Sequence, residues 1–176
     1  MRPAPGEVLH FSEDPTITVF APHVALTARQ EIALVWAVGA DRCPDYWFPR
    51  RCPRAMAWVQ PGTDPADADR LIGTGHRVHT IEYSWLRRMQ SVRLFAYRLP
   101  AEPFTPFGEP GPYALVARET VKPLGPPERV GDLLALHARA GIELRLVDNL
   151  WPWWDRVVAS TLGFSGIRLA NAAPRP

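Results

Sequence analysis

Residues 45 to 54, Asp-Tyr-Trp-Phe-Pro-Arg-Arg-Cys-Pro-Arg, combine three adjacent aromatic side chains with three arginines. Aromatic faces stack on planar rings, and arginine binds phosphate or carboxylate groups through its planar fork of N–H donors. Tyr46 and Trp47 are therefore candidates for stacking a ring, whereas Phe48 is expected to pack in the core. Arg50 is a candidate for binding a phosphate, the competing interpretation being a solvated arginine loop. The segment predicts a pocket for a small anionic ligand that carries a ring.

A second polar set, Leu9-His-Phe-Ser-Glu-Asp-Pro15, follows a short predicted strand. A histidine at the end of a strand can bind a ribose hydroxyl or act as a general base. The alternative is a structural histidine that bonds to a loop carbonyl. His10 and Ser12 join the candidate site, and Glu13-Asp-Pro15 is interpreted as the cap of a turn.

Two glutamates in strand-like settings are candidates for a catalytic carboxylate. Glu119 is the first choice to face His10 and Glu82 the second, although both can also lie exposed on a sheet face. His76 and His79 are too isolated in the sequence to predict a metal site. The phosphate-binding and dinucleotide-binding glycine motifs and the Gly-x-Ser-x-Gly nucleophile motif are absent from the sequence.

Composition limits the class of protein. The chain has 176 residues, which predicts a single domain over residues 1–176. Its net charge of +2 is too small to indicate nucleic-acid binding. No apolar run reaches the length of a membrane span, and the first residues lack the apolar core of a signal peptide. We therefore expect a cytoplasmic protein with free thiols at Cys43 and Cys52.

Apolar periodicity predicts the elements that position these residues. Strands are expected at residues 7–12, 31–38, 54–59, 77–83, 92–99, 113–121 and 142–147, those at 31–38 and 142–147 being central. A short helix to about residue 72 is expected after Thr63-Asp-Pro65, which supplies a cap and a first-turn proline. Further helices are expected at residues 85–89, 130–140, with Gly141 as the stop, and 151–162, with a short helix from Pro44 to Pro49. Residues 100–112 hold five prolines and predict an irregular loop. Strands outnumber helices without strict alternation, which favours an α+β domain with a mixed, largely antiparallel sheet and short packed helices.

The chain resembles an uncharacterised bacterial family, a domain of unknown function. The resemblance rests on the motifs Leu9-His-Phe-Ser-Glu-Asp-Pro15, Val35-Trp-Ala37, Tyr46-Trp-Phe-Pro-Arg50, Cys52-Pro-Arg54, Val130-Gly-Asp-Leu-Leu134, Asn149-Leu-Trp-Pro152 and Phe164-Ser-Gly-Ile-Arg168. It covers almost the whole chain and implies no established activity.

The strand that ends in a histidine, followed by an aliphatic strand and a helix with a tyrosine, also resembles the ADP-ribosyltransferase-like superfamily. That resemblance implies that His10 binds the nicotinamide ribose of NAD, that Tyr46 stacks the nicotinamide, and that Glu119 stabilises the oxocarbenium-like transition state. The usual glycine or threonine after the histidine is missing here.

The sequence leaves two functions open. One is an NAD-consuming enzyme that transfers or hydrolyses ADP-ribose. The other is a non-catalytic domain that binds a small ligand or a protein through the aromatic–arginine surface. A carboxylate close to His10 favours the enzyme, whereas separation of His10 from both glutamates favours the binding domain.

Overall fold

Short strands dominate the computed structural model, which describes residues 1–24, 32–108 and 113–176. The strands of this part of the chain are β1 (Glu7–Ser12), β2 (Val35–Ala37), β3 (Arg54–Trp58), β4 (Arg77–Glu82), β5 (Phe95–Pro100), β6 (Thr105–Phe107), β7 (Ala114–Ala117), β8 (Glu128–Arg129), β9 (Glu143–Val147) and β10 (Gly163–Ile167). The α-helices are α1 (Pro65–Leu71), α2 (Leu86–Ser91), α3 (Leu133–Arg139) and α4 (Trp151–Val158). Short 3-10 helices form at Cys43–Tyr46, Tyr83–Trp85 and Leu169–Asn171.

The chain divides into two units. Unit 1 comprises residues Met1–Arg50 and Arg93–Gly131, and unit 2 comprises Arg51–Val92 and Asp132–Pro176. Each unit has its own sheets and an apolar cluster of its own. The expectation of one domain over residues 1–176 stays a prediction.

Unit 1 contains two antiparallel sheets, with strand orders β1-β5-β8 and β2-β7-β6. In the first sheet His10 lies opposite Tyr97. On its other side β1 meets the end of β2 through reciprocal backbone hydrogen bonds between Leu9 and Val38, of 3.0 and 2.8 Å. Strand β1 therefore links both sheets. The apolar cluster between them comprises Val8, Phe20, Val35, Ala37, Phe95, Tyr97, Leu99, Phe104, Ala117 and Val121.

Unit 2 contains a four-stranded sheet in the order β10-β3-β4-β9, antiparallel except for the parallel pair β4–β9. Two of its helices, α1 and α3, begin at side-chain caps. The Asp64 carboxylate accepts the N–H of Ala66 ahead of α1, and Asp132 accepts the N–H groups of Leu134 and Ala135 ahead of α3. The apolar cluster combines the sheet with α1 and α4 through Ala55, Ala57, Leu71, Ile72, Val78, Leu150, Trp153, Val157 and Leu162.

The α+β class and the largely antiparallel pairing are confirmed, with the strands distributed over three sheets. The expectation that residues 31–38 and 142–147 are central strands is wrong. Strand β2 is shorter than predicted and lies at an edge of the sheet β2-β7-β6. Strand β9 lies at an edge of the sheet β10-β3-β4-β9. The apolar run of β2 reflects the burial of Val35 and Ala37, which a core imposes on edge strands as well, whereas the residues of β9 are only partly buried or exposed. Glu31, the first residue of the predicted strand, lies outside the described residues.

Two further boundaries differ from the sequence prediction. The loop predicted at residues 100–112 contains β6, and residues 109–112 lie outside the described part. Helix α4 ends at Val158 rather than near residue 162. Ser160 Oγ donates to the Val157 carbonyl at 2.7 Å, and the N–H and hydroxyl of Thr161 donate to Asp67 at 2.8 and 2.9 Å. These bonds end the helix and lead the chain into β10.

Strand β10 was missed because its two glycines have low strand propensity. Both are needed for close packing. A Cβ atom at Gly163 would overlap the Trp58 indole, and one at Gly166 would overlap Trp154 and Leu169. The absence of a side chain is therefore a packing requirement of this sheet.

No helix in the described part of the chain is long and apolar enough to cross a membrane.

The packing of β10 predicts that Gly163→Ala destabilises the protein. The added methyl group must displace the Trp58 ring, and overpacking of this kind costs about 1–3 kcal/mol. Gly131→Ala is the matched control, since a Cβ there meets no atom within 4 Å; its effect should stay within about 0.5 kcal/mol. Equilibrium denaturation followed by circular dichroism compares the two. Equal unfolding free energies for the two variants would contradict the packing role of Gly163.

Candidate functional site

His10 is held in one orientation by a main-chain acceptor. Its Nδ1 lies 2.7 Å from the Trp36 carbonyl oxygen, at the point where β1 approaches β2. Because a carbonyl only accepts, Nδ1 carries the proton and donates, and Nε2 presents its lone pair. The ring packs against Phe20, with the centroids 4.7 Å apart. Among the described residues no group hydrogen-bonds to Nε2, so this nitrogen is available to a ligand.

The surroundings of His10 keep it neutral. Burial is the main cause that lowers its pKa to about 4, the hydrogen bond with Trp36 opposes the shift, and the positive charges of Arg50 and His23 lower the pKa further. At neutral pH the imidazole is therefore an uncharged hydrogen-bond acceptor that senses the positive charge of Arg50. The candidate site therefore contains a neutral hydrogen-bond acceptor.

Arg50 is connected to the turn after β1 through its main chain. Its N–H donates to Glu13 Oε1 at 2.8 Å, while its own side chain is exposed. In the described part of the chain no carboxylate forms an ion pair with the Arg50 guanidinium. Arg50 therefore presents an exposed cationic fork to solvent, and its charge reaches His10.

The aromatic segment before Arg50 is mostly core. Trp47 and Phe48 are 3% and 1% exposed, whereas Tyr46, the last residue of the 3-10 helix, is half-buried. The packing expected for Phe48 is observed. Tyr46 is therefore the aromatic residue of this segment that keeps part of its surface accessible.

The other polar residues after His10 build a turn. Ser12 is 1% exposed, and its Oγ accepts the N–H of Asp14 at 3.1 Å. Asp14 Oδ1 accepts from the N–H and the hydroxyl of Thr16 at 2.8 and 2.7 Å. The Tyr97 hydroxyl donates to the Asp14 carbonyl at 2.7 Å and accepts the N–H of Ile17 at 3.0 Å. Ser12 thus has a structural contact, and Glu13-Asp-Pro15 lies in a turn as expected.

The two candidate carboxylates have different surroundings. Glu119 is exposed in a bend after β7 and not in a strand. Glu82 belongs to unit 2, is 3% exposed, and accepts the N–H groups of Leu150 and Ala173 at 3.2 and 3.1 Å. Among charged groups, the largest cause that lowers the pKa of His10 is Arg50, whose guanidinium is positive at neutral pH. The site within unit 1 is accordingly cationic in character.

The cysteines are free, as expected, and buried. Burial raises the pKa of Cys43 and of Cys52 to about 12, so neither is a nucleophile at neutral pH. Groups of three or more potential metal ligands are absent from the described residues.

Unit 2 contains a histidine pair that sequence reasoning missed. Arg77 Nε donates to His79 Nε2 at 3.0 Å, His79 Nδ1 lies 3.1 Å from His137 Nε2, and His137 Nδ1 lies 2.7 Å from the Leu133 carbonyl. These contacts form one directional series of donors and acceptors. Both rings are buried, which marks the pair as a structural link between β4 and α3. The 58 residues that separate the two histidines leave no local sequence signal, although His137 does lie on the apolar face of a helix.

Comparison with known proteins identifies a family for the chain. A model of the family of unknown function DUF6886 matches residues 9–172. The chain belongs to this family. No curated protein and no solved structure matches it. The likeness to the ADP-ribosyltransferase-like superfamily stays a prediction.

The lowered pKa of His10 predicts a pH dependence of stability. The folded value of about 4 lies below the ordinary 6.5, so the unfolded chain takes up the proton first as the pH falls. The contribution of His10 is therefore complete above about pH 6.5 and is lost as the pH falls to about 4, by about 3 kcal/mol. His10→Asn keeps a donor near the Nδ1 position but does not titrate, so its unfolding free energy should fall less over this range.

His76→Asn, which removes an exposed histidine of unit 2, is the control. Unfolding free energies at a series of pH values between 4 and 7 compare the variants. If His10→Asn and the original chain lose the same free energy over this range, the neutral, buried state of His10 is refuted.

Proposed function

We propose that unit 1 is a binding module for a small anionic ligand that also offers a hydroxyl or N–H donor, and that His10 and Arg50 contact this ligand. The observation that supports the proposal most directly is the fixed, neutral imidazole of His10, which presents Nε2 as an acceptor. Arg50 supplies the complementary group, since its exposed fork can bind a phosphate or carboxylate through two parallel hydrogen bonds.

The two contacts define a ligand class. A neutral imidazole accepts a hydrogen bond from a sugar hydroxyl or a ring N–H, and a guanidinium binds an oxyanion. A phosphorylated sugar or a nucleotide has both groups. In this proposal Tyr46, half-buried at the end of its 3-10 helix, stacks the ring of the ligand, while the buried Trp47 and Ser12 support the site through packing and the turn.

Binding is favoured over transfer of ADP-ribose by the charges around His10. An oxocarbenium-like transition state needs a nearby carboxylate, because positive charge develops at the anomeric carbon. The charges that act on His10 are cationic, and Glu119 is exposed in a bend. Such surroundings suit an anion and disfavour a developing cation. NAD is thus included as a candidate ligand. Its cleavage would be detected as release of nicotinamide.

Thermal unfolding in the presence of pyrophosphate, ADP-ribose, NAD and uncharged adenosine tests the proposal. We expect ADP-ribose to raise the unfolding temperature, since a ligand at 100 times its dissociation constant stabilises the folded state by about 2.7 kcal/mol. Arg50→Ala should weaken binding about tenfold to a hundredfold, because hydrogen bonds to charged groups are worth about 1.5–3 kcal/mol. His10→Asn should weaken the binding of ADP-ribose more than that of pyrophosphate, which has no sugar hydroxyl or ring N–H to donate.

Arg51→Ala is the matched control, since Arg51 is also exposed and is adjacent in sequence. It should leave the affinity unchanged. Equal losses in Arg50→Ala and Arg51→Ala, or no stabilisation by any anionic ligand, would refute the proposed site. Release of nicotinamide from NAD that disappears in Glu119→Gln would instead establish the enzyme.

A further inference from the structure

In unit 2 the segment Ala173-Pro-Arg175 lies on the beginning of α4 and is held there through its backbone. The N–H of Ala173 donates to both carboxylate oxygens of Glu82, at 3.1 and 3.2 Å. Trp151 Nε1 donates to the Ala173 carbonyl at 2.8 Å, and Asn149 Nδ2 donates to the Pro174 carbonyl at 2.8 Å. The N–H and carbonyl of Ala173 and the carbonyl of Pro174 therefore all have hydrogen-bond partners. Proline has no N–H, so no main-chain group of these two residues is left without one.

The side chain of Arg175 is recognised separately. Its Nη1 and Nη2 atoms donate to the two carboxylate oxygens of Asp155 at 2.8 and 3.0 Å. The guanidinium carbon lies 4.1 Å from the centroid of the Trp151 ring. A carboxylate that binds the fork and an aromatic face that covers it select arginine over lysine, because the ammonium group of lysine lacks the planar fork.

Local sequence explains why these groups face the same way. Asn149 Oδ1 accepts the N–H of Trp151 at 2.9 Å, which turns the amide nitrogen Nδ2 toward the segment. Trp151 and Asp155 are four residues apart on α4 and share a face. Glu82 is 3% exposed and also accepts the N–H of Leu150, so its carboxylate is fixed beside the helix start. The tryptophan-rich motif thus builds a directional site in addition to covering the sheet.

We propose that Glu82, Asn149, Trp151 and Asp155 form a recognition site for an extended peptide segment of the type small residue–proline–arginine. Ala173-Pro-Arg175 occupies this site in cis, and a segment of the same chemistry from another protein chain replaces it in trans. The cis contact can open because its ion pair is exposed, each side chain retaining 54% of its accessible surface. A competing segment of the same chemistry forms the same backbone hydrogen bonds and ion pair, so it needs to overcome mainly the high effective concentration of the tethered one.

Full-length Arg175→Glu tests the proposal, because a glutamate at 175 is repelled by Asp155 and frees the site. The Trp151 indole N–H cross-peak, assigned through Trp151→Phe, reports occupancy in NMR spectra. We expect the substitution to shift this cross-peak, and a peptide with the sequence of residues 171–176 to return it to its original position. The peptide should bind the variant about tenfold more tightly than the original chain, while a peptide with glutamine in place of its arginine should bind more weakly.

Two full-length controls accompany this experiment. Arg139→Glu makes the same change of charge at an exposed residue of α3 and should leave the cross-peak in place. Asp155→Arg combined with Arg175→Glu restores an ion pair of reversed sign and should restore the cis-occupied spectrum. If Arg175→Glu leaves the Trp151 indole unshifted, arginine is not the recognised group. If it shifts the indole but the arginine peptide does not reverse the shift, recognition in trans is refuted.

Discussion

The hydrogen bond between His10 Nδ1 and the Trp36 carbonyl sets the chemistry of the candidate site in unit 1. Strand β1 pairs with β5 on one side and with the end of β2 on the other, which places the imidazole within hydrogen-bond distance of the Trp36 carbonyl. The tautomer follows from this contact, and burial beside cationic groups keeps the ring uncharged. A ligand at this site must therefore supply a donor for Nε2 and an anion for Arg50.

The histidines His10, His79 and His137 show how hydrogen-bond satisfaction separates a structural role from a binding role. His79 and His137 use both ring nitrogens in one series of contacts between Arg77 and the Leu133 carbonyl. His10 uses one nitrogen, and no group among the described residues hydrogen-bonds to the other. Unpartnered polar groups at partly exposed positions point to ligands, whereas fully satisfied ones point to folding.

Sequence reasoning succeeded where the determinants are local. Strand β1 has the predicted bounds, Pro65 begins α1, and Gly141 follows α3 with a φ of 65° that favours glycine. It failed at β10, where Gly163 and its neighbours depend on contacts with distant tryptophans.

Some features of the candidate site could also be predicted from local sequence, and others could not. The turn after His10 and the packing of Phe48 could be anticipated from residue types. The burial of Trp47 and Ser12, the exposure of Glu119 and the pairing of His79 with His137 depend on tertiary contacts between distant segments. Nothing within a local window of sequence encodes such contacts.

The protonation state of His10 is the most direct test of whether this histidine is a neutral acceptor with its proton on Nδ1. Two-dimensional ¹H–¹⁵N NMR of the histidine rings, assigned with His10→Asn, reports both the tautomer and the titration of this residue. We expect the neutral tautomer with the proton on Nδ1 at pH 6, and titration centred near pH 4. A proton on Nε2, or titration at the ordinary value of about 6.5, would contradict it.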